Sequence, residues 1–306
     1  GRACARTAPF LLMAGLERTE SMDAHPRDHR WRAWIGRSQS AQDVLTQGMT
    51  TGLCATLDRE PTGLHAPQGI HWLCTPPRAR RAQLGADGHP ATGDFLPPID
   101  LPRRMWASSR MDFLKPIAVG SRIGRTSTIT DVTEKSGASG RLIFVEVDHL
   151  FTADDEPCVR ESQTLVYREA ARSPLVLAEA SEQPHDWPWI AHWTIDPVLL
   201  FRYSALTFNG HRIHYDQPYA TQVEGYPGLV AQGPLMATLM LDLCDRKLGK
   251  NRLARFSFRG VGPAFCGETL IVAGRAHGPK VDLKIFTDTG RTVMTGQGIC
   301  IREPHE

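Results

Sequence analysis

The feature that most restricts this chain is a pattern that occurs twice. Pro116-x-x-x-Gly120-x-x-Ile123 returns as Pro263-x-x-x-Gly267-x-x-Leu270, each just ahead of a strand-like segment. Val159-x-x-x-Gln163-x-Leu165-x-x-Arg168 returns as Val293-x-x-x-Gln297-x-Ile299-x-x-Arg302, offset by 134 residues. A chain that repeats itself at this scale folds as two like units that bury their apolar faces together, and 306 residues leave room for both. In the first unit Val44, Leu45, Met49, Leu53 and Leu57 keep helical spacing, which predicts a helix over Ala41–Leu57 capped by Ser38 or Ser40. Arg110–Phe113, Ser121–Thr133, Leu142–Phe151, Thr164–Arg168 and, in the second unit, Ile190–Ile195 read as strands. From 61 to 102 the chain is rich in Pro, Gly and Arg, with Pro76-Pro77 and Pro97-Pro98 as breakers. The expected organisation is a leader or tag-like segment at 1–30, a first unit at 31–170, a polar linker at 171–187 and a second unit at 188–306.

The second unit holds the chemistry. Phe201 to Asp216 packs ionisable groups around Asn209-Gly210-His211-Arg212-Ile213-His214-Tyr215. A Gly/Pro-punctuated turn follows, and Gly233-Pro234 then opens an apolar run to Leu248. Proline in a first helical turn lacks an N–H that would be unpaired anyway. The remaining free N–H groups and the positive end of the helix dipole suit an oxygen gaining negative charge. The run is apolar on most faces, so its helix should be wrapped by sheet; Met236 and Met240 read as core. A curved antiparallel sheet around a buried helix is the α+β arrangement that fits.

Other classes find little support. Net charge is +2, far from the basic excess of a nucleic-acid-binding domain. Seven scattered cysteines form no C-x-x-C pair, which favours reduced thiols over a disulfide framework or zinc site. No apolar run reaches the ~20 residues of a membrane span. A cytoplasmic protein is expected, or a mitochondrial one if 1–21 is a native leader: Arg2 and Arg6 flank the apolar Pro9–Leu16, no acid precedes Glu17, and Met22 is a plausible start.

Two such units, with Ser204-Ala205-Leu206-Thr207-Phe208-Asn209-x-His211-Arg212-Ile213-His214-Tyr215-Asp216 ahead of Gln232-Gly233-Pro234, resemble the MaoC-like double hot-dog hydratases. The nearest subgroup is the mesaconyl-CoA and itaconyl-CoA hydratases and the type-2 3-hydroxyacyl-thioester dehydratases. Trp34-Ile35-Gly36-Arg37, Gly93-Asp94-Phe95-Leu96-Pro97-Pro98 and Leu101-Pro102-Arg103-Arg104-Met105-Trp106 support the resemblance, which covers about Trp31 to Arg302. It implies a tandem hot-dog, each unit a curved antiparallel sheet around a central helix. It also implies a hydro-lyase that hydrates an enoyl-CoA or dehydrates a 3-hydroxyacyl-CoA, with no cofactor, CoA being part of the substrate. His214 matches the catalytic His of that pattern, while Asn209 stands where the broader group has Asp. A carboxylate can take a proton; an amide can only orient water. The first unit lacks the Asn-x-His-x-x-His run and reads as a silent partner that completes the sheet. A homodimer is a further expectation from the resemblance.

The expected catalytic set is Asn209, His214 and the Gly233 N–H, with Val230, Arg212, His211 and Tyr215 binding substrate and Val230 aiding Gly233 at the thioester oxygen. Arg212 stands where the broader pattern has Pro, and its planar fork suits a second carboxylate on a dicarboxylic acyl group. Pairing with Asp216 is the plainer alternative. His211-x-x-His214 could instead be a metal pair, but no third ligand is evident and no metal is expected. Arg103, Arg104, Glu224 and Tyr226 read as structural. A thioesterase and a non-catalytic acyl-CoA-binding protein are the rival functions; the first wants an acid that this position lacks, and Asn209 favours the second.

Overall fold

The computed structural model describes residues 30–61, 63–137, 140–170, 177, 179–180 and 184–301. The leader expected over 1–30 lies outside the described residues except for Arg30, as do most of the linker expected over 171–187 and Arg302 at the end of the repeat. The first unit runs β1 (Ser38–Val44), α1 (Gln47–Thr56), β2 (Arg103–Phe113), β3 (Arg122–Gly137), β4 (Gly140–Ala153) and β5 (Glu156–Arg168). The second runs β6 (Trp189–Thr194), α2 (Pro197–Leu206), α3 (Gly233–Leu248), β7 (Leu253–Gly260), β8 (Thr269–His277), β9 (Lys280–Thr287) and β10 (Thr292–Cys300). All ten strands form one antiparallel sheet in the order β1-β3-β4-β5-β2-β7-β10-β9-β8-β6. The halves are mirror sequences of each other, joined where β2 pairs with β7 from Ser108↔Arg259 to Asp112↔Arg255.

The duplication is written in the backbone hydrogen bonds. Leu45 N–H donates to Ser121 and Gly120 N–H to Leu45, as Ile195 N–H donates to Glu268 and Gly267 N–H to Ile195. Ala66 N–H donates to Ile117 and Val119 N–H to Leu64, as Ala231 N–H donates to Ala264 and Cys266 N–H to Leu229. The last two pairs align Ile70 with Leu235, so the single 3-10 turn Ile70–Leu73 occupies the place where α3 gets under way. There the units part. In the second, all ten residues from Leu235 to Cys244 are buried, and burying a Leu or Met contributes about 1.5–3 kcal/mol each. In the first, the helix ends after one turn and the chain continues as a strap, 74–102, whose regular structure among these residues is a 3-10 turn at Arg81–Gln83. Arg59 of the first unit binds Asp242 of α3 at 2.9 Å and also Asp245, giving that apolar helix's buried acid the partner it requires.

Two local expectations change. The helix expected over Ala41–Leu57 starts at Gln47, because Ser38–Val44 is an edge strand on β3 and Val44 points outward. Its cap is Thr46, whose Oγ1 accepts the Met49 N–H at 3.2 Å, not Ser38 or Ser40. Helix α2 was not expected from the sequence; Asp196 caps it through the Leu199 N–H at 2.7 Å, with Pro197 in its first turn.

Candidate active site

Between α2 and α3 the second unit carries a loop with no counterpart of similar length in the first, and its polar residues organise it from within. Asn209 Oδ1 accepts the His211 N–H at 3.0 Å, a turn in which the side chain replaces a backbone acceptor. One short helical turn, Arg212–His214, then places Ile213 and His214 inward. His214 Nδ1 lies 2.7 Å from the Val230 carbonyl oxygen. A carbonyl only accepts, so Nδ1 carries the proton and the Nε2 lone pair is left as a base. Burial pushes the His214 pKa down to about 4, with the Val230 carbonyl acting in the opposite sense, so the ring is neutral at pH 7.

Three residues on, Gly233 begins α3, where an N–H has no acceptor within its own helix. Gln232 just before it is buried and donates to the Leu200 carbonyl and Ser204 Oγ, both at 2.9 Å, which ties the helix start to α2. A neutral base and a fixed N–H at a helix start are thus carried by one short segment, 214–233. The expected help from Val230 is absent: its N–H donates to the Ile213 carbonyl at 2.9 Å. Val230 acts instead through its carbonyl, which sets the tautomer of His214.

Arg212 is also differently employed. Its Nε and Nη2 bind Asp216 Oδ2 at 2.9 and 2.8 Å, Nη1 reaches the Ala86 carbonyl at 3.1 Å, and the guanidinium stacks 4.1 Å over Tyr219. It braces the loop, and a substrate carboxylate would have to displace Asp216. Tyr215 is 51% exposed and donates to the Gly210 carbonyl at 3.0 Å, again holding the loop rather than lining a pocket. Arg103 meets Glu224 at 2.9 Å and faces the Tyr226 ring, as a structural group should.

Sequence reasoning overlooked two residues that the structure brings in from the strap. The His89 ring lies 4.1 Å from that of His211, which lies 5.2 Å from His214. Asp87 Oδ2 is 2.9 Å from His89 Nδ1, and the Asp87 carbonyl accepts the Arg212 N–H at 2.8 Å. Burial opposes the charge on Asp87, but the hydrogen bond and charge of His89 outweigh it and hold the carboxyl below its usual range. Burial keeps His89 and His211 low as well. Donor atoms of Asp87, His89 and His211 all lie within 4.8 Å of one another, a set that could hold a zinc or iron ion. The signal available in the sequence was an Asp-x-His in a Gly-rich loop 122 residues before His211. A polar groove of about 930 Å³ on the sheet, lined in part by Arg110, Arg259 and Lys284, includes none of these residues.

One sheet of two five-stranded halves curving about a buried helix is the double hot-dog fold. The same fold is seen in a MaoC-like dehydratase from Phytophthora capsici, at a TM-score of 0.67, 13% identity and coverage of 88% of this chain and 96% of that one. A Mycobacterium tuberculosis protein described as a double hotdog matches at a TM-score of 0.53 and 13% identity, over 87% and 96% of the two chains. The family model for hydroxyacyl-thioester dehydratase type 2 matches residues 69–266, and the chain belongs to that family. Mesaconyl-C(4)-CoA hydratase of Chloroflexus aurantiacus is 40% identical over 271 residues, 87% of this chain and 96% of the relative. The mitochondrial type 2 hydroxyacyl-thioester dehydratase of Schizosaccharomyces pombe is 28% identical over 268 residues, 76% and 86% of the two.

Proposed function

We propose that this chain is a hydro-lyase that adds water across the α,β double bond of an enoyl-CoA thioester and, in reverse, dehydrates the 3-hydroxyacyl thioester. The observation that carries the reading is the buried, neutral His214 with its Nδ1–H held by Val230, close in the chain to the start of α3. As the water oxygen bonds to the β-carbon, its proton passes to the Nε2 lone pair. The π electrons move toward the α-carbon and the thioester oxygen, which the Gly233 N–H holds. The proton then returns to the α-carbon, so one water is added and the protein ends as it began. Asn209 spends Oδ1 on its own loop, which leaves its Nδ2 donors to orient the water.

The identity with a mesaconyl-C(4)-CoA hydratase supports a branched dicarboxylic acyl group. With Arg212 committed to Asp216, we assign the second carboxylate to Arg104 at the start of β2, a charge felt by both His89 and His211. The partner in this reading is the acyl-CoA itself; among the described residues no helix is long and apolar enough to cross a membrane. The test follows enoyl-thioester absorbance over a panel of straight-chain and dicarboxylic enoyl-CoAs. Loss of the band without release of thiol supports hydration. Thiol release would make the chain a thioesterase, and binding without either change would make it an acyl-CoA-binding protein.

A further inference from the structure

The two units differ most where α3 has no full counterpart. The backbone bonds that align Ile70 with Leu235 also align Trp72, two residues on, with Ala237, which is wholly buried in α3. In the second unit a 16-residue helix fills the hollow of the sheet, while in the first the single 3-10 turn ends at Leu73. What stands in the space is an indole. The Trp72 ring lies 5.8 Å from that of Trp106, edge to face, and each lies 6.0 Å from the Phe258 ring of β7. The three rings meet at the joint of the two halves, where β2 pairs with β7.

This cluster borders the reacting centre. A Cβ at Gly233 would meet the Trp106 carbonyl oxygen at 3.6 Å, so β2 runs directly alongside the start of α3. Neither indole is fully buried, whereas the Ser109 and Glu161 that hold them are. Both rings are tied to one carboxylate. Trp72 Nε1–H donates to Glu161 Oε2 at 3.1 Å; Trp106 Nε1–H donates to Ser109 Oγ at 2.9 Å, and that hydroxyl donates to Glu161 Oε1 at 2.6 Å. His71 Nε2 lies 3.4 Å from Glu161 Oε2 as well. A buried carboxylate is costly unless such bonds satisfy it, and here the same bonds fix the position of two large rings.

An acyl group whose thioester oxygen rests on the Gly233 N–H begins beside Trp106. It cannot continue into the second unit, whose hollow α3 fills, and in the first unit the rings close the way. Resting on the hydro-lyase reading, we propose that Trp72 and Trp106 form the end wall of the acyl pocket and restrict this site to short acyl groups, with Glu161 and Ser109 as the positioning residues that hold the wall. Arg104 stands two residues before Trp106 with no bulge between them, so both share one face of β2 at a spacing of roughly 7 Å. A cation and a stop so close together suit a short branched acyl group with a second carboxylate and shut out a fatty chain.

The experiment compares kcat/KM for crotonyl-CoA and octenoyl-CoA, two straight-chain substrates that differ only in length. Wild type should prefer crotonyl-CoA at least about 100-fold, because each methylene without room is worth about 10- to 200-fold. If wild type turns over only a dicarboxylic enoyl-CoA, the inhibition constants of butyryl-CoA and octanoyl-CoA against it supply the same ratio. Trp72→Ala should move the ratio at least about ten-fold toward the longer chain, with handling of that chain improved in absolute terms. Trp72→Leu, a milder change that leaves more of the core filled, should move it in the same direction by less. Glu161→Gln keeps both rings but gives up a shared acceptor, and should also relax the ratio. A merely structural role would weaken both chain lengths in step and leave the ratio at its wild-type value in all three variants, which overturns the inference. A wild type that takes octenoyl-CoA as readily as crotonyl-CoA overturns this inference alone, and that result needs no variant to fold. A wild type that hydrates no enoyl thioester defeats the function and the inference with it.

Discussion

Lowering the pH should unfold this protein partly through His214, and the size of the effect follows from its surroundings. An imidazole titrates near 6.5 in an unfolded chain and at about 4 in the folded one, because burial disfavours its charged form. The folded state therefore favours the neutral ring. Its contribution is fully present above pH ~6.5 and is lost as the pH falls toward 4. At about 1.4 kcal/mol per unit, the loss has a ceiling near 3 kcal/mol, a large share of an ordinary folding free energy. The control is His214→Asn, whose amide nitrogen can still donate to the Val230 carbonyl but cannot take up a proton. Urea unfolding at pH 7.5 and 4.5 should show wild type losing about 2–3 kcal/mol more than the variant between the two. His89 and His211 titrate in both proteins and largely cancel. An equal loss in the two would show that the folded state tolerates the imidazolium, and the neutral-base mechanism would fall with it.

Replacing Gly233 by Pro removes the proposed oxyanion donor at a first helical position that accepts proline; the fold should survive while kcat drops by about 100- to 1,000-fold, and wild-type kcat would exclude that N–H. Gly88→Ala should cost about 1–3 kcal/mol in backbone strain alone, its φ being +88°, and lift the strap from Gly210, whose carbonyl oxygen the added Cβ would strike; a crystal structure with the strap in place would contradict the contact. Arg212→Leu, which loses the pair with Asp216, the bond to the Ala86 carbonyl and the stack on Tyr219, should cost about 1–3 kcal/mol in stability and leave the preference between dicarboxylic and straight-chain enoyl-CoAs unchanged in kcat/KM ratios, whereas Arg104→Leu should lower that preference at least ten-fold if one good charge-assisted contact of about 1.5–3 kcal/mol is lost.

What could be read from the sequence was what depends on local chemistry and repetition. The run after Gly233-Pro234, apolar on most faces, read as a helix wrapped by sheet, and Leu235 to Cys244 is buried throughout. The repeated Pro-x-x-x-Gly turns do sit at equivalent joints of the two units. His214 was legible from its motif, but the partner of its Nδ1, the Val230 carbonyl, was not, because nothing in a residue's name tells which backbone groups are already paired. The same blindness assigned the Val230 N–H to the substrate when Ile213 holds it. Arg212 looked free for a carboxylate because Asp216, one helical turn on, looked no more committed than it did. Asp87 and His89 escaped altogether: they lie in a stretch whose prolines and glycines announce only an irregular path, and irregular paths carry no periodicity from which a destination can be inferred.

The strap also imposes an order on time. Much of it packs within the first half, through Thr75 and Arg78 on Asp43 and Ile99 and Leu101 in the core beside Ile129, yet Asp87 and His89 reach their place only when Gly210 and Arg212 are in position, and those depend on α2, α3 and the strands around them. A chain emerging from the ribosome completes its first half with Asp87 and His89 still unplaced. Contacts over so long a separation form late, after the loop-closure entropy has been met by the sheet. Full ordering of the site should therefore lag behind the burial of the tryptophans during refolding, and a partly refolded chain would hold His214 in place before Asp87 and His89 reach the loop.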